Sequence, residues 1–188
     1  MKKTIALAAV MAAAAAFGGV KVGTVDMALL VRSHSSYETN KELLLGTEKD
    51  YRRQIDGMKA VLDEIQEEGQ KLADELRNPM LSAAAKEKAE KDLVSVQRRF
   101  AQQEKKIREE AASSQQKLIE LHDTLLKSQT ADIRKRIAEF AKKNGYDLVI
   151  DASAAVFAAE SMDVTDAVLK EMGVDPKVAR AKEKDEGK

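Results

Sequence analysis

His34 and His122, and three aspartates at the ends of short segments, Asp26, Asp151 and Asp163, are the side chains whose types could do chemistry in this chain. A structural or catalytic zinc site needs three or four ligands at short, regular spacing. The 188 residues contain no cysteine, and the two histidines stand far apart with no such spacing between them. The lack of cysteine also removes thiol catalysis and disulfides. A nucleotide site would show a glycine-rich loop ending in lysine, and none is present. Aspartates at strand and helix ends serve mostly as caps and turn formers. The sequence therefore points away from catalysis, and no enzyme activity, cofactor or metal is expected.

Charge and composition narrow the class further. Lys and Arg number 32, as do Asp and Glu, so the formal net charge is zero. A phosphate-binding domain normally carries a basic excess, so no nucleic acid is expected as a partner. Charged residues make up 34% and aromatics 4%, with two prolines and no tryptophan, which suits long solvated helices better than a thick core.

The elements that must position any working surface can be read in order. Met1, Lys2 and Lys3 precede an apolar run from Ile5 to Phe17. Small residues close the run, with cleavage expected between Ala16 and Gly19, so residues 1–19 read as a secretory signal peptide. The run is too short to span a bilayer comfortably. Val20–Val25 is rich in β-branched residues and reads as a strand, followed by a short helix over Met27–Arg32.

From Tyr37 the pattern turns helical. Tyr51, Ile55, Met58, Leu62, Ile65, Leu72 and Leu76 follow alternating steps of four and three, with Gly69 filling the gap, which is a heptad seam. Asn78-Pro79 must break that helix, because proline lacks the amide proton and disfavours helix in the residue before it. A second helix starts near Ser82, an N-cap residue. Its seam runs through Ala85, Ala89, Leu93, Val96, Phe100, Gln103, Ile107, Ala111, Ser114, Leu118, Leu121 and Leu125, and on to Phe140. About sixty residues of helix would be roughly 90 Å long. Asn144-Gly145 is a C-terminal stop.

Tyr146–Ile150 reads as a strand, with Ala154–Ala158 returning beside it as a hairpin. A last helix opens at Asp163 to Thr165 and runs through Met172. Residues 174–188 are charged and expected to be disordered. The expected domains are thus a small β-body from 20–36 and 144–173, and a helical hairpin arm over 37–143 with its tip near 78–81. Too few strands are present for an independently stable sheet, so assembly through the strand region is the natural remedy.

The strand and small helix VGTVDMALLV, the charged helical hairpin, and the closing segment YDLVIDASAAVFAAESMDVTDAVLKEM together resemble the Skp (OmpH-like) family of periplasmic outer-membrane-protein chaperones. The resemblance covers Val20 to Met172. It implies an α+β, mostly α fold, with a small β-body, a long antiparallel coiled-coil hairpin acting as a prefoldin-like arm, and assembly as a homotrimer. It also implies an ATP-independent periplasmic holding chaperone that keeps unfolded outer-membrane β-barrel proteins in a cavity between arms. The best-known members are strongly basic, whereas this chain is balanced, which counts against lipopolysaccharide or anionic lipid as a partner. A structural coiled-coil spacer or adaptor that binds a folded envelope partner is the alternative class.

A holding chaperone needs many weak, adaptable contacts, for which methionine and scattered aliphatic residues are suited. Met58, Val61, Met80, Leu81 and Val94 are the client-binding candidates, although Met58 also fits seam packing and Met80 and Leu81 could simply close the tip. Val22, Val25, Leu148, Val149, Ile150, Val156 and Phe157 are the candidates for the oligomer interface. Gly57 and Gly69, each about 1 kcal/mol poorer than alanine in a helix, are hinge candidates or tolerated losses.

Overall fold

The computed structural model describes residues 19–186, so the expected signal segment lies outside the described residues apart from Gly19. The element order is β1 (Val22–Val25), α1 (Met27–Arg32), α2 (Tyr37–Leu76), α3 (Ala83–Asn144), β2 (Leu148–Asp151), two short 3-10 turns (Ala152–Ala154 and Glu160–Met162), α4 (Thr165–Glu171) and α5 (Pro176–Glu186). The chain is mostly helical, with long helices and one small sheet. It divides into two compact units. Among the described residues, one contains 19–38 and 126–186, and the other is Thr39–Leu125.

In the first unit, β1 and β2 pair in parallel, with Val22 opposite Leu148 and Val25 opposite Asp151. On its other side β1 meets Asp163 through a single bridge opposite Thr24, where the Val164 amide donates to the Thr24 carbonyl at 2.9 Å. β1 is therefore flanked on both sides, whereas the outer edge of β2 pairs with nothing among the described residues. Gly23 is required by close approach, since a Cβ there would stand 3.2 Å from the Tyr146 ring and 3.3 Å from Val164.

The core of this unit gathers Val25, Leu29, Leu30, Ile133, Phe140, Val164, Val168, Leu169 and Ala179. Burying each leucine-sized side chain contributes about 1.5–3 kcal/mol. The helix ends around this core are capped by side chains. Asp26 accepts from the Leu29 amide at 2.9 Å and starts α1. The Asp26 amide donates to the Thr165 hydroxyl oxygen at 2.9 Å, and that hydroxyl donates to Asp163. Asp163 also accepts the Thr165 amide at 2.8 Å. One chain of polar contacts thus ties the start of α4 to the start of α1.

α3 and α4 end the same way. Gly145 (φ 68°) and Gly173 (φ 78°) take left-handed conformations. The next amides, of Tyr146 and Val174, reach back 2.9 Å to the carbonyls of Ala141 and Leu169, which is the Schellman arrangement. Tyr146 then stacks on Phe140 with ring centroids 5.7 Å apart.

Two expectations are corrected here. Ala154–Ala158 does not form a strand against β2. Asp151 instead accepts from the Ser153 amide at 3.0 Å and turns the chain into a 3-10 turn. The segment expected to be disordered contains α5. Pro176 fits the first helical position, Asp175 caps the Lys177 amide at 2.8 Å, and Ala179 packs into the core. Arg180 pairs with Asp166 and Asp163, and Glu183 with Arg32. The high charge of this segment is its solvated face, which composition alone cannot distinguish from disorder.

In the second unit, the α2 and α3 segments meet side by side. The Gln103 amide donates to the Met58 carbonyl at 2.9 Å, and Arg99 forks onto Glu68 at 2.8 and 3.0 Å. Met58 meets Gln103, whereas Glu68 further along α2 meets Arg99 earlier on α3, so the two segments run in opposite directions. Ile65, Ala89, Val96 and Ser114 are buried along the contact. Asn78 accepts from the Met80 amide at 3.0 Å in the connecting turn, and Ser82 accepts from the Ala85 amide at 3.3 Å to start α3.

Candidate functional site

An open groove of about 830 Å³ lies in the first unit. Its floor is β2, with Leu148, Val149 and Ile150. One wall is α1, with Met27, Ala28 and Val31. The other is α3, with Leu126, Thr130, Ile137, Ala138 and Ala141. Arg32, Arg134, Asp147 and Asp151 add charge to a lining that is otherwise apolar apart from Thr130.

The expected interface residues are distributed unevenly around this groove. Val25, Leu148, Val149 and Ile150 line it, but Val25 is buried in the core of its own chain. Val22 is half-buried on β1 and does not line it. Val156 is fully exposed and Phe157 is 86% exposed, both between the two 3-10 turns. Of the α3 wall, Ile137 falls on the seam expected for the second helix with Ile133 and Phe140, whereas Leu126, Thr130 and Ala141 form a second stripe at helical spacing beside it that was missed in the sequence.

Of the client-binding candidates, Met80 is 88% exposed in the turn after α2, and Leu81 beside it is half-buried. Val61 and Val94 are exposed, and Met58 is half-buried in the helix contact. Val94 sits two positions before the buried Val96, which places it well round α3 from the seam. Leu43, Leu45 and Ile119 are exposed as well. Leu43 and Leu45 belong to one apolar run with Leu44.

The hinge candidates differ. Nothing lies within 4 Å of a Cβ at Gly57, whereas one at Gly69 would meet Val96 at 3.2 Å. Gly69 lets the two helices approach closely.

His34, Asp132 and Arg136 form a cluster that the sequence did not suggest. His34 Nδ1 accepts from the Ser36 amide at 3.2 Å, which leaves Nε2 to donate to Asp132 at 3.0 Å. Arg136 donates to the same carboxylate oxygen at 2.7 Å. The Arg136 hydrogen bond, and then that of His34, hold the Asp132 carboxyl below its usual value. Both basic partners favour the charged form. The cluster joins the turn after α1 to α3, and its arrangement is that of a structural clasp. His122 is exposed beside Asp123 at 3.6 Å. Among the described residues, no group of three or more His, Cys, Asp or Glu side chains could hold a metal ion. No described helix is long and apolar enough to cross a membrane.

A family model described as outer membrane protein (OmpH-like) matches residues 21–172. A curated protein named Skp-like protein, from Pseudomonas aeruginosa, is 28% identical over 169 residues, spanning 88% of this chain and 91% of the relative. The family match ends at the last residues of the α4 region, and α5 lies beyond it.

Proposed function

Because this chain belongs to the OmpH-like outer membrane protein family, we propose that it is an ATP-independent holding chaperone of the periplasm that binds unfolded outer-membrane β-barrel chains and prevents their aggregation. Residues 37–143 form a helical hairpin arm with its tip near 78–81. Three chains join through the β-body, and clients are held between the arms. The N-terminal segment directs secretion and is removed.

The observation that carries this reading is the surface of the long helices. Val61, Val94 and Ile119 are exposed on long helices rich in charged residues, Leu43 and Leu45 are exposed near the start of the first of them, and Met80 is exposed in the turn that joins them. Such a surface offers many weak contacts and no deep specific pocket, which suits a partner without fixed structure. Several weak contacts in one enclosed volume reinforce one another through effective concentration, so single substitutions among them should matter little. The β-body interface draws on Leu148, Val149 and Ile150 in the groove and on Val156 and Phe157 outside it.

The test is dilution of a urea-unfolded outer-membrane barrel into buffer with and without the protein, in the absence of nucleotide, followed by light scattering. Suppressed scattering near one oligomer per client is the expected result. Full aggregation in the presence of a correctly assembled oligomer would move the reading to a coiled-coil spacer that binds a folded partner.

A further inference from the structure

The first unit ends in a helix that the family match leaves out. The match stops at residue 172, whereas α5 spans Pro176–Glu186. α5 is nevertheless built into the unit. Asp175 caps its start by accepting from the Lys177 amide at 2.8 Å. Ala179 is 4% exposed and shares one core cluster with Leu29, Leu30, Val168 and Leu169. Arg180 donates twice to one Asp166 oxygen, at 3.0 and 2.7 Å, and stands 3.6 Å from Asp163. Three residues on, Glu183 pairs with Arg32.

These partners come from separate elements. Asp166 lies in the first turn of α4, Arg32 in the last turn of α1, and Asp163 carries the bridge to β1. α5 therefore ties together segments from both ends of the chain. The elements it ties are weak by themselves. The sheet has two strands, and α1 and α4 have six and seven residues. Helices that short do not persist without packing, and a two-stranded sheet is marginal in water.

We propose that α5 is a strap that keeps the first unit folded in the single chain, so that each copy meets its partners with a finished surface. This role rests on the reading of the chain as self-assembling. Without α5 the core would be completed only as copies join, and folding and assembly would become one step. Ala179 is the buried anchor. The ion pairs of Arg180 and Glu183 are partly exposed and each adds little, but they fix which face of α5 turns inward.

The test follows hydrogen exchange at the Asp147 and Val164 amides over a dilution series, with sedimentation velocity in parallel. These amides donate to the Lys21 and Thr24 carbonyls, each at 2.9 Å, and so report closure of the unit on β1. Two variants are compared with the full chain. One ends at Val174, which retains the reach-back bond that closes α4. The other is Ala179→Asp, which keeps every other residue and places a carboxylate against the core. Val178→Asp, on the exposed side of α5, is the control and should behave as the parent.

Protection in the parent should be the same in monomer and oligomer. In both variants it should fall by about tenfold or more in the monomer, as for a unit that opens sub-globally, and return as rising concentration drives assembly. Equal protection in the monomeric variants and the parent overturns the strap, as does parental protection that fades on dilution. Protection that never returns in the variants, while the parent assembles, overturns the link between folding and assembly. A parent that is monomeric at every concentration fails the assembly reading instead. In that case lower protection in both variants still supports the strap, and equal protection overturns it.

Discussion

Gly69 lies against Val96, so closely that a methyl group at Gly69 would stand 3.2 Å from the valine Cγ1, whereas a methyl group at Gly57 would meet nothing within 4 Å. Both glycines sit inside α2, yet their substitutions should diverge. Gly57→Ala removes a helix-weakening residue without crowding and should raise stability by about 0.5–1 kcal/mol. Gly69→Ala should gain less or nothing, and Gly69→Val should destabilise by about 1–3 kcal/mol through overpacking. Urea unfolding measures all three. If Gly57 is a hinge, its alanine variant also narrows the range of arm openings seen by solution scattering, and an unchanged range removes that role.

Thr165 is fully buried and has two polar partners, accepting from the Asp26 amide and donating to Asp163. Thr165→Val keeps the shape and leaves both partners short of a hydrogen bond. The expected loss is about 1–3 kcal/mol, read by thermal or urea unfolding, with Thr165→Ser recovering much of it. A neutral valine variant would show that the polar chain between α4 and α1 contributes nothing net.

The Asp132 carboxyl is held below the usual carboxylate range by Arg136 first and His34 second. A carboxyl depressed in the folded state stabilises fully above its unfolded value, and that stabilisation is lost as pH falls through the lower folded value. Asp132→Asn should therefore flatten the acid limb of the stability curve below about pH 4, leaving the dependence above it unchanged. Arg136→Ala should move the Asp132 titration up toward the ordinary carboxylate value, visible in its carboxyl carbon resonance. A titration unmoved by Arg136→Ala would break the assignment of cause.

Ile150→Asp should dissociate the oligomer, because a carboxylate would be buried between chains without a partner. Leu148→Asp is the sharper variant. Leu148 is half exposed in the single chain, so its fold should survive while assembly fails. Sedimentation velocity separates the outcomes, and an oligomer that persists in both variants places assembly elsewhere, for instance in the long helices.

Much of the helical part was legible because its signals are local. The four-and-three spacing marks a seam along which Ile65, Ala89, Val96 and Ser114 are buried. Ser82 and Asn144-Gly145 mark helix ends by cap chemistry that operates within a few residues. What the sequence could not convey is non-local. The first and late strands were expected to meet in one β-body, but runs of β-branched residues do not set the direction of pairing, so the parallel register of β1 with β2 was not legible. Composition alone suggests a return strand at Ala154–Ala158, whereas Asp151 turns the chain into a 3-10 turn over Ala152–Ala154. α5 was hidden because its ion pairs with Asp166 and Arg32 depend on residues brought close only by folding. Most of the groove wall on α3 and the clasp at His34 and Asp132 were missed for the same reason.

The pairing of β1 with β2 also has a consequence in time. Lys21 and Asp147, which bond at the start of the sheet, are 126 positions apart. At synthesis rates of about 5–20 residues per second, the first strand waits roughly 6–25 s for its partner to be made. Closing so long a loop adds entropy that only the finished contact repays, and high contact order slows folding. The long helices, built from local contacts, can form during that wait. Completion of the sheet is therefore a late event that reports the arrival of nearly the whole chain. A product truncated before Leu148 would carry helices and an unpaired first strand, but could not close the surface through which copies are proposed to join.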